Sequence, residues 1–105
     1  MALIDIRKTP PVLDTEEFTG RKFFSSEDLE AVHLKIQPGG HLKAHTTPVD
    51  VVFVVLEGKG DFMVGKDHLI AEKLQAVMSP RDILHAVTNV GEEALEFLVL
   101  KAPRP

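Results

Sequence analysis

His45-Thr46-Thr47-Pro48-Val49-Asp50-Val51-Val52-Phe53-Val54-Val55-Leu56-Glu57-Gly58 is the stretch whose reading decides the fold. Residues 51–56 form an unbroken, valine-rich apolar run bounded by Pro48 and Gly58. β-Branched side chains suit a pleated, packed surface, so the run predicts a strand buried deeply on both faces. Periodicity alone does not separate so short a run from a buried helical segment, and its neighbours supply the missing context.

Upstream, Val32, Leu34 and Ile36 alternate with His33 and Lys35, the period of a half-buried strand, until Pro38-Gly39-Gly40 stops it. Downstream, residues 61–64 and 68–71 flank Gly65-Lys66-Asp67 and predict a hairpin whose glycine supplies the turn. Leu74, Ala76 and Met78 alternate up to Ser79-Pro80, Ile83, His85 and Val87 share a face before a turn at 89–93, and Leu95, Phe97 and Val99 form a last alternating strand. Residues 18–24 read as one further strand followed by a turn at 25–28, and no segment shows a helical period with caps. Roughly seven to nine short strands at regular spacing imply an all-β sandwich or barrel. A barrel also removes the free edges that short valine-rich strands would expose. Prolines at 10, 11, 103 and 105 mark extended ends, so residues 1–17 are expected as an extended segment and 18–102 as the barrel domain.

Composition narrows the function. A chain of 105 residues, 44% hydrophobic and 27% charged, is one globular domain. Net charge is −4 with no basic run, which argues against nucleic acid as a partner. With no cysteine, disulfides, thiolate metal sites and thiol nucleophiles are excluded together. No apolar stretch approaches the ~20 residues of a membrane span and no signal peptide is visible at the start, so a cytoplasmic location is expected.

The segment ending at Gly58 and a second one, Pro80-Arg81-Asp82-Ile83-Leu84-His85-Ala86-Val87-Thr88-Asn89, resemble the paired motifs of the cupin superfamily, small jelly-roll-like barrels of short antiparallel strands. The second family motif is similar to G-x5-P-x-G-x2-H-x3-N. Pro80, Asp82 in the glycine position, His85 and Asn89 match it, while its leading glycine is missing. The first is similar to G-x5-H-x-H-x3,4-E-x6-G. Registered on Gly58, it places His45 at the first histidine, Thr47 at the second and Val51 at the glutamate. The resemblance implies a metal ion, held by three histidines and a carboxylate, in the barrel mouth. This chain keeps two of those four groups, His45 and His85, and so reads as a cupin with a depleted metal site.

The candidate pocket residues are therefore His45, Thr47, Val51, Phe53 and His85, with Val55, Met78, Ile83 and Val87 as further lining. His45 and His85 are the candidate metal ligands for a divalent ion such as Fe, Zn, Ni or Mn. Asp50 is a candidate third ligand provided a β-bulge turns it inward, since strict alternation points it away from the interior. Without a bulge it is a loop carboxylate bonding nearby backbone N–H groups. His41 lies four residues before His45, about 13 Å along a strand, too far to share an ion, and reads as a rim residue. His33 and His68 read as surface residues.

Three functions fit this pattern: a barrel binding a small organic ligand with a reduced or absent metal site, a metal-dependent dioxygenase or isomerase using His45, His85 and an unusual third ligand, and a non-catalytic structural or accessory barrel. Val51 favours the first, because an alkyl group cannot ligate a metal. An extended, proline-rich 4–12 segment also suits a homodimer arm.

Overall fold

The computed structural model describes residues 1–105 and contains ten strands in two sheets. A 3₁₀ turn at Ile6–Lys8 precedes β1 (Leu13–Asp14), β2 (Phe18–Ser25), β3 (Glu30–Ile36), β4 (His41–His45) and β5 (Asp50–Glu57). Then come β6 (Lys59–Val64), β7 (Asp67–Glu72), β8 (Ala76–Ser79), β9 (His85–Asn89) and β10 (Leu95–Ala102). One sheet has the order β1-β2-β3-β10-β5-β8 and the other β4-β9-β6-β7, with every pairing antiparallel. This is the all-β barrel of short antiparallel strands that the punctuation of the sequence implies. No helix is long and apolar enough to cross a membrane.

The two-residue period of the large sheet builds the barrel in rows. Glu30 pairs with Lys101, Lys101 with Val51, and Val51 with Ser79. One row further in, Val32, Val99, Phe53 and Val77 follow in the same order, and beneath them lie Leu34, Phe97 and Val55. The core cluster gathers the apolar members of these rows with Ile36, Phe62, Ala71, Val87 and Leu95. Phe62 packs edge-on against Phe97 with ring centroids 5.4 Å apart, locking the two sheets together.

Three expectations need correction. In β5, Val51, Phe53 and Val55 are buried, but Val52, Val54 and Leu56 are only half-buried. The strand is apolar on both faces because its outer side belongs to an apolar row, Met78-Val52-Leu100-Ala31, running across the outside of the sheet. In β8 the inward parity is opposite to the predicted one. Val77 and Ser79 point in, while Met78, read as pocket lining, is 51% exposed, and Leu74 ahead of the strand is 82% exposed. Apolar alternation marked the outer row here, because the inward partner of Val51 is a serine. Ile83 likewise lies in the turn ahead of β9 and is exposed. Strand pairing starts at Leu13, ahead of residue 18, with β1 folded onto this chain's own β2.

The hairpin forms as expected, Val64 pairing with Asp67 across Gly65 at φ +61°. Asp82, standing at the family's glycine position, adopts φ +63°, a conformation that aspartate tolerates better than most side chains. Gly58 combines φ +87° with a close approach, since a Cβ there would lie 2.6 Å from the Ala94 carbonyl oxygen. Gly39 shares the backbone conformation (φ +79°) but faces open space. Urea unfolding should therefore show Gly39→Ala costing about 1 kcal/mol and Gly58→Ala clearly more, above about 2 kcal/mol. Equal losses would mean that backbone conformation alone, not the packing of β5 against the β10 entry, fixes Gly58.

Candidate functional site

His85 enters from β9 and His45 from β4, on neighbouring strands of the small sheet. The register between them slips by one residue between Leu42 and His45, so that Leu42 opposes Val87 and His45 opposes His85. Unbroken alternation from Leu42 would turn Ala44 inward; the extra residue turns His45 inward in its place. The bulge considered for Asp50 is thus found in β4, where it serves His45. Asp50 stays at the start of β5, and its Oδ1 accepts a hydrogen bond from the Arg81 backbone N–H at 2.9 Å. The Asp82 N–H donates to the Thr47 carbonyl at 2.9 Å, so the 46–49 and 80–84 loops are tied together behind the two histidines.

The imidazoles meet edge to face, with ring centroids 4.6 Å apart, an interplanar angle of 86° and Nε2 atoms separated by 3.3 Å. Their partners assign the protons. The Lys43 carbonyl, which can only accept, lies 3.0 Å from His45 Nδ1, so that nitrogen carries the hydrogen and His45 Nε2 is an acceptor. His85 Nε2–H then donates towards His45 Nε2 and towards Thr47 Oγ1 at 3.4 Å. His85 Nδ1 in turn accepts from Ser79 Oγ–H at 2.9 Å. Phe53 stacks edge-on against the His85 ring at 5.4 Å. His85 is only 3% exposed, and its pKa is pushed down to about 4, by burial first and then by the charges of His45 and Lys101. It is a neutral hydrogen-bonding residue near pH 7.

In front of the pair lies a cavity of about 610 Å³ with 18 lining residues, 10 of them hydrophobic. His45, Phe53, His85 and Val87 line it, with the exposed His41 on its wall. Thr47 and Val51 do not reach it. Thr47 is buried behind His85 and Val51 belongs to the core cluster. Val55 is also core, and Met78 and Ile83 lie outside. His68 pairs with Asp61 on the surface and His33 with Glu96 on the outer face of the large sheet. Val12 and Leu13, from the segment expected to be extended, close one wall of the cavity.

Among the lining residues that the sequence reading does not anticipate are three charged ones in mutual contact, Lys22, Glu30 and Lys101. Glu30 is buried; its Oε1 lies 3.1 Å from Lys22 Nζ and its Oε2 3.4 Å from Lys101 Nζ. Burial works to raise the Glu30 pKa, but the two ammonium groups outweigh it and hold the carboxyl below its ordinary range. The signal was present in the alternation. Continuing Leu95, Phe97, Val99 by one step reaches Lys101, and continuing Ile36, Leu34, Val32 backwards reaches Glu30.

The sequence profile of the Cupin domain family matches residues 32–101. The chain belongs to the cupin family. Among solved structures, it is similar to KdgF from Halomonas sp. (TM-score 0.88, 16% identity, covering 100% of this chain and 96% of that one). It is also similar to a protein from Thermus thermophilus (TM-score 0.86, 26% identity, 100% of both chains). A third is the polyketide cyclase RemF from Streptomyces resistomycificus (TM-score 0.84, 17% identity, 99% of this chain and 80% of that one). No curated protein matches by sequence.

Cupins often carry a metal, so the donor set can be tested against one. Two nitrogens 3.3 Å apart, each about 2.1 Å from an ion, subtend about 100° at it, a reasonable angle. The remainder of a shell is missing. No three His, Cys, Asp or Glu side chains converge anywhere in the molecule, and Val51 fills the place of the family's carboxylate. Two imidazoles fall short of the three protein ligands typical of a catalytic ion, and the residues present do not fit a tightly held metal.

The buried, neutral His85 has a consequence for stability. Its folded pKa of about 4 lies below the ordinary 6.5, so between those values the unfolded chain binds a proton that the folded chain excludes. Stability from this source is complete above pH 6.5 and falls with pH, by about 3 kcal/mol on reaching pH 4. Denaturant unfolding from pH 7.5 to 4.5 should show that decline. His85→Gln should flatten it, leaving the slope due to His33 and the carboxyl groups. An unchanged slope in the variant would show that His85 is protonated in the folded protein.

Proposed function

We propose that this cupin binds a small organic ligand in the mouth of its barrel and does so without a tightly held metal. The observation that carries this reading is the 610 Å³ cavity, walled mainly by apolar side chains and opening onto the hydrogen-bonded His45–His85 pair. Small-molecule sites are commonly apolar recesses with a few fixed polar groups, and this one has that composition. The names of the neighbouring proteins do not choose the ligand, since at 16–17% identity KdgF and RemF share the fold alone.

Thermal unfolding against a panel of small organic acids, phenols and sugars should reveal stabilising compounds. Saturation at about 100 times Kd adds about 2.7 kcal/mol, a shift of several degrees for a domain of this size. Val32→Phe, which fills the cavity from the inward face of β3, should abolish the shift. A panel with no stabilising compound, or a shift that persists in Val32→Phe, would refute binding in the barrel.

The second reading, a metal-dependent dioxygenase or isomerase, rests on the 3.3 Å Nε2 separation. Elemental analysis of untagged protein decides between the two. The proposed function expects metal well below stoichiometric in both the wild type and His85→Ala. Near-stoichiometric iron, zinc, nickel or manganese that disappears in the variant would establish the metalloenzyme instead.

The expected homodimer draws support from the apolar row Met78-Val52-Leu100 on the outer face of the large sheet. Light scattering should give about twice the chain mass of 11.6 kDa; the monomer mass at micromolar concentration would dismiss it.

A further inference from the structure

We infer that the ligand of this cavity is a small monocarboxylate with an apolar body, its carboxylate held by Lys22 and Lys101. The inference rests on the proposed function and names the class of molecule. Two ammonium groups share the single carboxylate of Glu30 at the cavity wall, a surplus of one positive charge that the other charged lining residues, the exposed Glu17 and Lys43, leave unchanged because they offset each other. Each ammonium has three N–H donors and spends one on Glu30, so donors remain for a second acceptor. His85 adds nothing to the surplus, being neutral and committed to Ser79, Thr47 and His45.

The charge sits where an anion would profit from it. Lys101 has a side chain 23% exposed and Glu30 10%, so both are withdrawn from bulk water, while Lys22, 43% exposed, reaches the cluster from its solvent side. A charge in a recess with apolar walls is poorly screened, which concentrates its field on whatever enters. The next row of the barrel is Val32, Val99 and Phe53, and Phe18, Leu34 and Leu42 complete the apolar wall. An anion of one charge neutralises the surplus, whereas a phosphate dianion would overshoot it and find only the exposed Lys43 as a further ammonium group among the lining residues. Glu30 itself is the natural competitor. It spans the two ammonium groups and keeps them in place when no ligand is bound.

Glu30 also makes the test sharp. The probes are benzoate, 3-phenylpropionate and hexanoate, each compared with its own amide, titrated into ¹⁵N-labelled protein and followed through the amide signals of Val32, Val99 and Lys101. The acids should bind about tenfold or more tightly than the amides, the scale of one charge-assisted hydrogen-bonded contact. Lys101→Met should bring acid and amide within about twofold of each other. Glu30→Gln, by removing the competing carboxylate, should tighten the acids and leave the amides unchanged. A gain in affinity cannot come from a merely destabilised fold, so this variant guards against misreading the loss in Lys101→Met. Equal binding of acids and amides, insensitive to both variants, would overturn the carboxylate anchor while preserving the barrel as a binding site. Failure of both sets to bind would overturn the anchor together with the binding function.

Discussion

The position of β10 between β3 and β5 is the constraint on which the rest of the structure depends. Its residues 95–101 pair continuously with β3, and its residues 97–102 pair with β5 after one irregularity next to Glu96. A central strand held on both sides cannot slip by one residue without turning Leu95, Phe97 and Val99 out to solvent. That register fixes the rows of the barrel, and through them the placement of every chemically interesting group on the large sheet. Glu30, Lys101 and Ser79 share one level because β3, β10, β5 and β8 are locked in that order. The apolar levels beneath them are the core.

The small sheet meets this frame with the opposite strategy. Where β10 keeps unbroken alternation against β3, β4 breaks it against β9, and the bulge before His45 brings two imidazoles to one point. Ser79 joins the two sheets chemically, since its hydroxyl is given to His85 across the barrel. A serine with no exposure at all is tolerated in the core only because that hydrogen bond is made. His85 is consequently satisfied at both nitrogens and needs no metal to account for its burial.

Much of this was legible from residue order. The valine run of β5, the alternation in β3 and β10, the turn glycines and the facing pair His45 and His85 all follow from side-chain type and spacing. The failures are of two physical kinds. Alternation identifies two faces but not which is inside. In β8 the apolar face looks outward and the inward face carries Ser79, so Met78 was placed wrongly. A bulge leaves no compositional mark when neither Gly nor Asn occupies it, and Lys43-Ala44 give no sign of one. The charged cluster is hidden for a simpler reason: an apolar series ends at its last apolar residue, although the parity of the strand continues to Lys101 and Glu30.

Val51 then acquires a meaning beyond the loss of a metal ligand. It stands directly across from Lys101 in the same row, where facing side chains of neighbouring strands have Cβ atoms about 5 Å apart. A carboxylate at this position, as the family motif has it, would lie within reach of the Lys101 ammonium and cancel the surplus charge of the cluster. The alkyl group leaves Lys101 with Glu30 as its one ion-pair partner. It also presents an apolar flank to Phe53 and Ser79 rather than a second anion. Exchanging one side chain thus removes a ligand from the histidine side of the mouth and leaves a positive charge uncompensated on the lysine side. On the proposed reading, a barrel mouth that holds an ion through a carboxylate and one that holds a carboxylate through an ammonium differ, in this row, by the residue at position 51.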